Sequence, residues 1–331
     1  MPEKPYLPPY NITDMIIHLV AEISEQVGAI TIKGETAANP KLRRENQLRS
    51  IHASLAIENN SLSLEQVTDI INGKRVLGPP NEIREVKNAY EAYNLLLTLD
   101  PFAIEDMLAA HKVLMAGLAK EAGRFRLGGV GVFAGKKLVH MAPPAKIVPE
   151  HMNNLLHWVK VSDAHPLIKS CVFHYEFELI HPFDDGNGRL GRMWQTLLLS
   201  RWKPLFAWLP VEDLIRERQQ EYYDALSLCD KRADSTVFVE FMLRVIHDAL
   251  SELLRTEQVR EQVTVQVEKL LAALGRETLS ARELLERLGL KHRPTFFTTY
   301  LRPALELGLI EMTIADKPNS NKQKYRAAKQ I

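Results

Sequence analysis

The sequence predicts a mainly α-helical protein: a helical bundle interrupted once by a β-hairpin and closed by a small α+β unit. Three observations carry this expectation. Apolar residues recur at three- and four-residue spacing through most of residues 12–274, as one face of a helix requires. Residues 123–144 instead alternate glycine with Val130, Val132 and Phe133, turn at Gly135-Lys136-Lys137 and resume at Leu138-Val139-His140-Met141, a hairpin pattern. Beyond residue 276, two short helical patterns precede two short β patterns.

Composition narrows the class. The 331 residues suffice for two or three domains, and 46% hydrophobic with 25% charged residues fits a soluble globular chain. A net charge of +1 supplies no global field for nucleic acid or membrane. Cys171 and Cys229 lack metal-ligand spacing and read as small buried hydrophobes in a reducing compartment. Residues 1–10 carry prolines and no apolar core of a signal peptide, and no apolar run is long enough to span a bilayer. A cytoplasmic protein with no membrane partner is expected.

Taken in order, residues 12–27 read as an amphipathic helix on Met15, Ile16, Leu19, Val20 and Ile23. Residues 39–62 form a second helical block, in which Ser54 and Glu58 share a face. From spacing alone Glu58 is an ordinary exposed glutamate. Ser63 opens a helix that Asn72-Gly73 ends. Residues 78–81 read as a turn, 82–99 as a helix on Val86, Ala89, Tyr90, Tyr93 and Leu97, and 104–118 as the next helix. Within the hairpin, Gly129-x-Gly131-x-x-Ala134 matches a loose dinucleotide fingerprint, but Pro143-Pro144 follows where a crossover helix is needed.

Residues 148–159 and 166–180 are helical, the latter mostly apolar, with His174 read as a core histidine. Helices follow over 216–229, with Tyr222 and Tyr223 adjacent, then 236–254 and 259–274. In the tail, Ser280-Ala281-Arg282-Glu283 is a capping box opening a helix that stops at Gly289. Pro294 opens a second helix ending at Gly308, and residues 309–314 and 324–327 read as strands. This order resembles a winged helix. Residues 276–331 hold 11 Lys/Arg against 6 Asp/Glu, a surplus of five. DNA is therefore one candidate partner. Phe296, Phe297 and Tyr300 on the second helix argue against direct base readout. A protein-interaction or dimerisation module, giving a homodimer, is the other reading.

One stretch concentrates chemistry: His181-Pro182-Phe183-Asp184-Asp185-Gly186-Asn187-Gly188-Arg189-Leu190-Gly191-Arg192. Apolar helical segments flank it, so it reads as a loop running into a helix N-terminus. Glycines there let N–H groups converge on an anion, and the helix dipole adds positive charge. Arg189 and Arg192, three apart, face the same side and can each fork onto phosphate oxygens. Asp185 is a hard oxygen ligand suited to Mg²⁺, and His181 can take a proton at neutral pH. A Gly/Asn/Asp cluster alone would be a solvated turn. An EF-hand fails because Arg189 occupies a ligand position and no Glu closes the loop, and a Walker loop fails because no Lys-Ser or Lys-Thr follows the glycines.

The string resembles the signature of the Fic family, His-Pro-Phe-x-Asp/Glu-Gly-Asn-Gly-Arg-x-x-Arg, at every defined position. Ser54-Leu55-Ala56-Ile57-Glu58-Asn59 is similar to that family's inhibitory motif, Ser/Thr-x-x-x-Glu-Gly/Asn. The resemblance implies a Fic helical bundle with a β-hairpin flap, plus a C-terminal winged-helix domain. The expected divisions are an N-terminal helical region at 1–110, a Fic core at 111–255 and the tail at 256–331.

It also implies protein adenylylation, the transfer of AMP from ATP to a Tyr, Thr or Ser hydroxyl. His181 would be the base. Gly186, Asn187, Gly188, Arg189 and Arg192 would hold the nucleotide, and Asp185 would hold Mg²⁺. The inhibitory segment Ser54, Glu58 and Asn59 would set Glu58 on Arg192. By the same resemblance the hairpin would hold the target protein by strand addition, with Val139, His140 and Met141 touching nucleotide, and Tyr222 or Tyr223 would stack on the base. Transfer of another phosphate-containing group, removal of AMP, or a nucleotide-sensing DNA-binding regulator are the alternative functions.

Overall fold

The computed structural model describes residues 6–33, 40–134, 137–275, 277–318, 320 and 322–328; within these ranges the side chains of 32–33, 41, 132–134, 137–141 and 257–264 are not described. The chain divides into two compact units, Met1–Ser251 and Glu252–Ile331.

The first unit begins with α1 (Asp14–Lys33), which buries Ile16, Leu19, Ile23 and Val27 on one stripe. Helix α2 (Pro40–Ile57) follows, then α3 (Leu64–Ile71), whose Ser63–Gln66 capping box satisfies two otherwise orphaned donors. Helix α4 (Pro80–Leu95) starts inside the segment that reads as a turn. Pro80 suits a first helical turn, because its missing N–H is not needed there. Helix α5 (Ile104–Leu114) stops earlier than periodicity suggests, and Gly117 just beyond it has φ +69°.

Strands β1 (Gly131–Ala134) and β2 (Lys137–Met141) pair antiparallel, with a register shift between Val132 and Phe133. Then come α6 (Val148–Val161), α7 (Pro166–Ile180) and α8 (Asn187–Trp202). Helices α7 and α8 form the centre of the unit. On α7 Cys171, Val172, Phe173 and Phe177 are fully buried, and on α8 Leu190, Met193, Trp194 and Leu197 are. A helix apolar on nearly every side must be wrapped on every side. The N-terminal segment joins this packing, with the Tyr6 hydroxyl donating to Glu176 Oε2 on α7 at 2.7 Å.

The helix expected over 216–229 is instead divided near its start, between α9 (Val211–Glu217) and α10 (Gln219–Arg232). Arg218 at φ −109°, ψ 33° breaks them apart. Conversely, α11 (Thr236–Leu274) runs unbroken through the stretch that reads as two helices, and the boundary between the units falls within it.

The second unit pairs α12 (Ala281–Arg287) with a helical run made of α13 (Arg293–Thr295), a π-helical turn at Phe296–Leu301 and α14 (Arg302–Glu306). Pro303 explains the π turn. It has no N–H and its ring crowds the carbonyl four residues back, so the preceding turn widens and the Arg302 N–H reaches Phe297 O. Phe296, Phe297 and Tyr300, weighed above against base readout, belong to this unit's packing: Phe296 and Tyr300 lie in its core with Leu270, Leu284, Ile310 and Tyr325, and Phe297 packs against it. Strands β4 (Ile310–Met312) and β5 (Lys324–Ala327) are joined by a two-residue strand, β3 (Leu279–Ser280), in the order β3-β5-β4. The sequence pattern shows no sign of β3, since two residues carry no periodicity.

Candidate active site

The site grows from the end of α7. His181 caps it in the left-handed conformation, φ 49°, with its N–H still bonded to Phe177 O at 2.9 Å. A non-glycine residue held there is uncommon and marks a constrained position. The chain then drops Phe183 fully into the core.

Asn187 ties the loop together. Phe183 N–H donates to Asn187 Oδ1 at 2.9 Å, and Asn187 Nδ2 donates to Phe183 O at 2.8 Å. His111 of α5 stacks on the Phe183 ring at 3.7 Å and 9°. Its Nδ1 accepts from Gly123 N–H at 2.9 Å, so Nε2 carries the proton donated to Asp185 O, also 2.9 Å away. Burial lowers its pKa, against the raising effect of that bond, and keeps the ring neutral. Gly186 turns the chain at φ +84°, where a Cβ would sit 2.6 Å from Met115 Sδ. Helix α8 then starts, and the N–H groups of Asn187, Gly188 and Arg189 have no carbonyl within the helix to bond. Unbonded N–H groups at a helix start are suited to an anion.

That end faces a carboxylate of the same chain. Glu58, just past the end of α2, places Oε1 2.8 Å from Arg192 Nη2 and against the face of Gly188. Ser54 completes the grip: its hydroxyl accepts from Arg192 Nε at 3.1 Å and its carbonyl from Nη2 at 2.9 Å. Asn59 sits at φ 68°, closing α2 as Glu58 leaves it. Arg192 is almost wholly buried, with 1% of its side chain exposed. Burial works against its charge, but Glu58, Tyr222 and Glu178 outweigh that and raise its pKa. Arg189 is held by Asp185 Oδ1 at 3.0 Å and by Glu85 Oε1 of α4 at 3.1 Å. Glu85 also accepts from Asn60 Nδ2 at 2.8 Å, which links the end of α2 to the same arginine.

Two expectations are corrected. Asn187 does not present its amide to a phosphate: the side chain is buried and both its polar ends are spent on Phe183. Its part is to shape the loop. Tyr222 is not a base-stacking surface either. It is 2% exposed and its hydroxyl lies 3.1 Å from His174 Nε2 in the core. Tyr223 is 43% exposed beside it. The side chains of Val139, His140 and Met141 lie outside the described residues.

The structure adds four residues that motif reading misses: His111, Glu85, Arg126 and Glu178. Arg126 donates to the carbonyls of His181 (2.7 Å), Gly128 (2.7 Å), Ile180 (3.3 Å) and Pro143 (2.5 Å), tying the base of the hairpin to the end of α7. Glu178 places Oε2 4.0 Å from His181 Nδ1. Burial raises it to about 7, with Arg192 opposing and Glu58 adding. Its only sequence signal is a carboxylate in an apolar helix, three residues before the histidine.

Residues 98–199 match the Fic/DOC family, and residues 265–328 match the Filamentation induced by cAMP protein Fic-like, C-terminal domain. The protein adenylyltransferase Fic of Aedes aegypti is 28% identical over 224 residues, 64% of this chain and 42% of its own length. The chain thus spans under half of that relative. The solved Fic-1 of Caenorhabditis elegans shares the fold, with a TM-score of 0.61 at 22% identity, covering 74% of this chain and 72% of its own. A Fic family protein from Desulfovibrio desulfuricans G20 aligns at 54% identity over 98% of this chain and 99% of its own, with a TM-score of 0.76. With that near-complete match and with the His181–Arg192 loop folded as described, this chain belongs to the Fic family.

Proposed function

We propose that the chain is a protein adenylyltransferase restrained by Glu58. One observation carries the reading: a carboxylate of the chain itself occupies the arginine and the helix N-terminus best built to hold a nucleotide's phosphates. The adenylyltransferase names of the relatives support the same activity.

When Glu58 withdraws, Arg192 is free to pair with the terminal phosphates, and the N–H groups opening α8 face the phosphate chain. His181 takes the proton of a target Tyr, Thr or Ser hydroxyl. That oxygen bonds to the α-phosphorus, the bond to the β-phosphate oxygen breaks, and pyrophosphate leaves. Catalysis of this kind is mostly positioning and electrostatics. Asp185 is the residue to hold Mg²⁺. Its side chain is 64% exposed, and no cluster of three or more His, Cys, Asp or Glu metal ligands exists among the described residues. A single carboxylate fits an ion that takes its other ligands from phosphate and water. Such an ion neutralises phosphate charge. Targets would lie along the hairpin β1–β2 by strand addition, the C-terminal unit would meet DNA or a second copy, and the free buried cysteines support a cytoplasmic setting.

The test uses ATP labelled at the α- or the γ-phosphate, with the Glu58→Gly chain. Label from the α position is expected on protein, label from the γ position is not, and His181→Ala is expected to lower transfer about a hundredfold or more. Transfer of the γ label, or undiminished transfer without His181, contradicts the reading.

A further inference from the structure

His174 and Glu178 stand four apart and share one face of the last turns of α7, and His181 follows three residues on, just past the end of the helix. His174 is locked neutral. Its Nδ1 is 2.6 Å from Gln195 Oε1, which can only accept, so Nε2 is left to accept from the Tyr222 hydroxyl. Burial pushes its pKa down to about 3. His174 therefore cannot balance Glu178, although its Nε2 lies 3.9 Å from Glu178 Oε1. That oxygen has no hydrogen-bond partner among the described residues.

Among the described residues, the other titratable and charged groups that act on Glu178 come from three elements: Arg192 on α8, Glu58 past the end of α2, and Tyr222 and Tyr223 on α10. Arg192 is already engaged by Glu58 and Ser54. Among the described residues the remaining group is the His181 imidazole, whose Nδ1 is 4.0 Å from Glu178 Oε2. A carboxylate with 13% of its side chain exposed and one unbonded oxygen is costly to keep. Such costs concentrate where they serve chemistry. Catalytic hydrogen bonds in ligand-free enzymes are often long and tighten with substrate.

We propose that Glu178 is the positioning residue for the base: it accepts from His181 Nδ1–H, holds the tautomer whose Nε2 faces the target hydroxyl, and stabilises the imidazolium formed when the proton arrives. This rests on the adenylyl-transfer reading above. Glu178 touches neither nucleotide nor target and acts only through His181.

The test compares Glu178→Gln with Glu178 in the full-length Glu58→Gly chain, reading transfer of the α-phosphate label against pH and ATP concentration. The expected result is a fall in kcat of about tenfold or more, an unchanged KM for ATP, and an acid limb moved roughly one unit lower. The shift is downward because the lost carboxylate no longer favours the imidazolium. Glu178→Asp should recover part of the rate. A separate titration of ring-labelled histidine by NMR, needing no turnover, should show the His181 signal titrating at lower pH in Glu178→Gln. An unmoved acid limb with an unmoved His181 titration overturns the proposal, as does a raised KM with kcat unchanged. If Glu58→Gly transfers no AMP at all, the function has failed, and the NMR titration alone decides the part of Glu178.

Discussion

Glu178 also has a consequence for stability. Its carboxyl is raised from an ordinary 4.5 to about 7 by burial, so the folded chain holds that proton more tightly than the unfolded chain. The contribution is full below about 4.5 and is lost as pH rises through about 7. Its size is about 3 kcal/mol. Glu178→Gln should therefore be more stable than the parent at pH 8, with little difference at pH 4, in urea melts at each pH. A difference that does not change with pH contradicts this. At this scale the motif was legible because its residue types are rare together: a histidine, two carboxylates, three glycines and two arginines in twelve positions. The sequence could not say which way each side chain turns. Asn187 looked like a phosphate ligand, and only the folded loop shows both its polar ends spent on Phe183. Arg126 carries no local signal, because its partners lie on segments brought close by folding, and Glu178 shows only as a carboxylate in an apolar helix.

Among elements, α2 is the one that carries Ser54, and Glu58 just past its end, to Arg192. Beyond Glu58, it is fixed to α9 and α10 by a polar seam: Ser50 Oγ donates to Glu212 Oε2 (2.9 Å), Arg49 pairs with Asp213 (2.6 Å), and Gln219 Nε2 donates to Ile57 O (2.9 Å). Glu212 is buried, which raises its pKa although Ser50 and Tyr93 bond it. A buried charged acceptor that loses a donor costs about 1.5–3 kcal/mol. Ser50→Ala should therefore loosen α2 and raise the basal rate of AMP incorporation several-fold, to less than the Glu58→Gly rate. No rise would show that the seam does not hold the inhibitory helix down. Helix spans followed from apolar spacing wherever one face is buried, and the hairpin followed from its alternation. The break at Arg218 and the π turn before Pro303 were not legible, since each reflects local backbone fit rather than periodicity.

At the scale of the whole molecule, the near-complete match to the Desulfovibrio desulfuricans protein and the separate matches of residues 98–199 and 265–328 agree with a chain of two units. No helix among the described residues is long and apolar enough to cross a membrane. The proposed function places the chemistry in the first unit, where α7 runs into α8 and Glu58 meets Arg192. The most direct test of this account is the intact mass of the full chain after incubation with ATP and Mg²⁺. The account predicts added mass equal to whole AMP groups on the Glu58→Gly chain, far less on the parent, and none once His181→Ala is added. An added phosphate mass, or equal AMP addition on the parent and the Glu58→Gly chain, would contradict it.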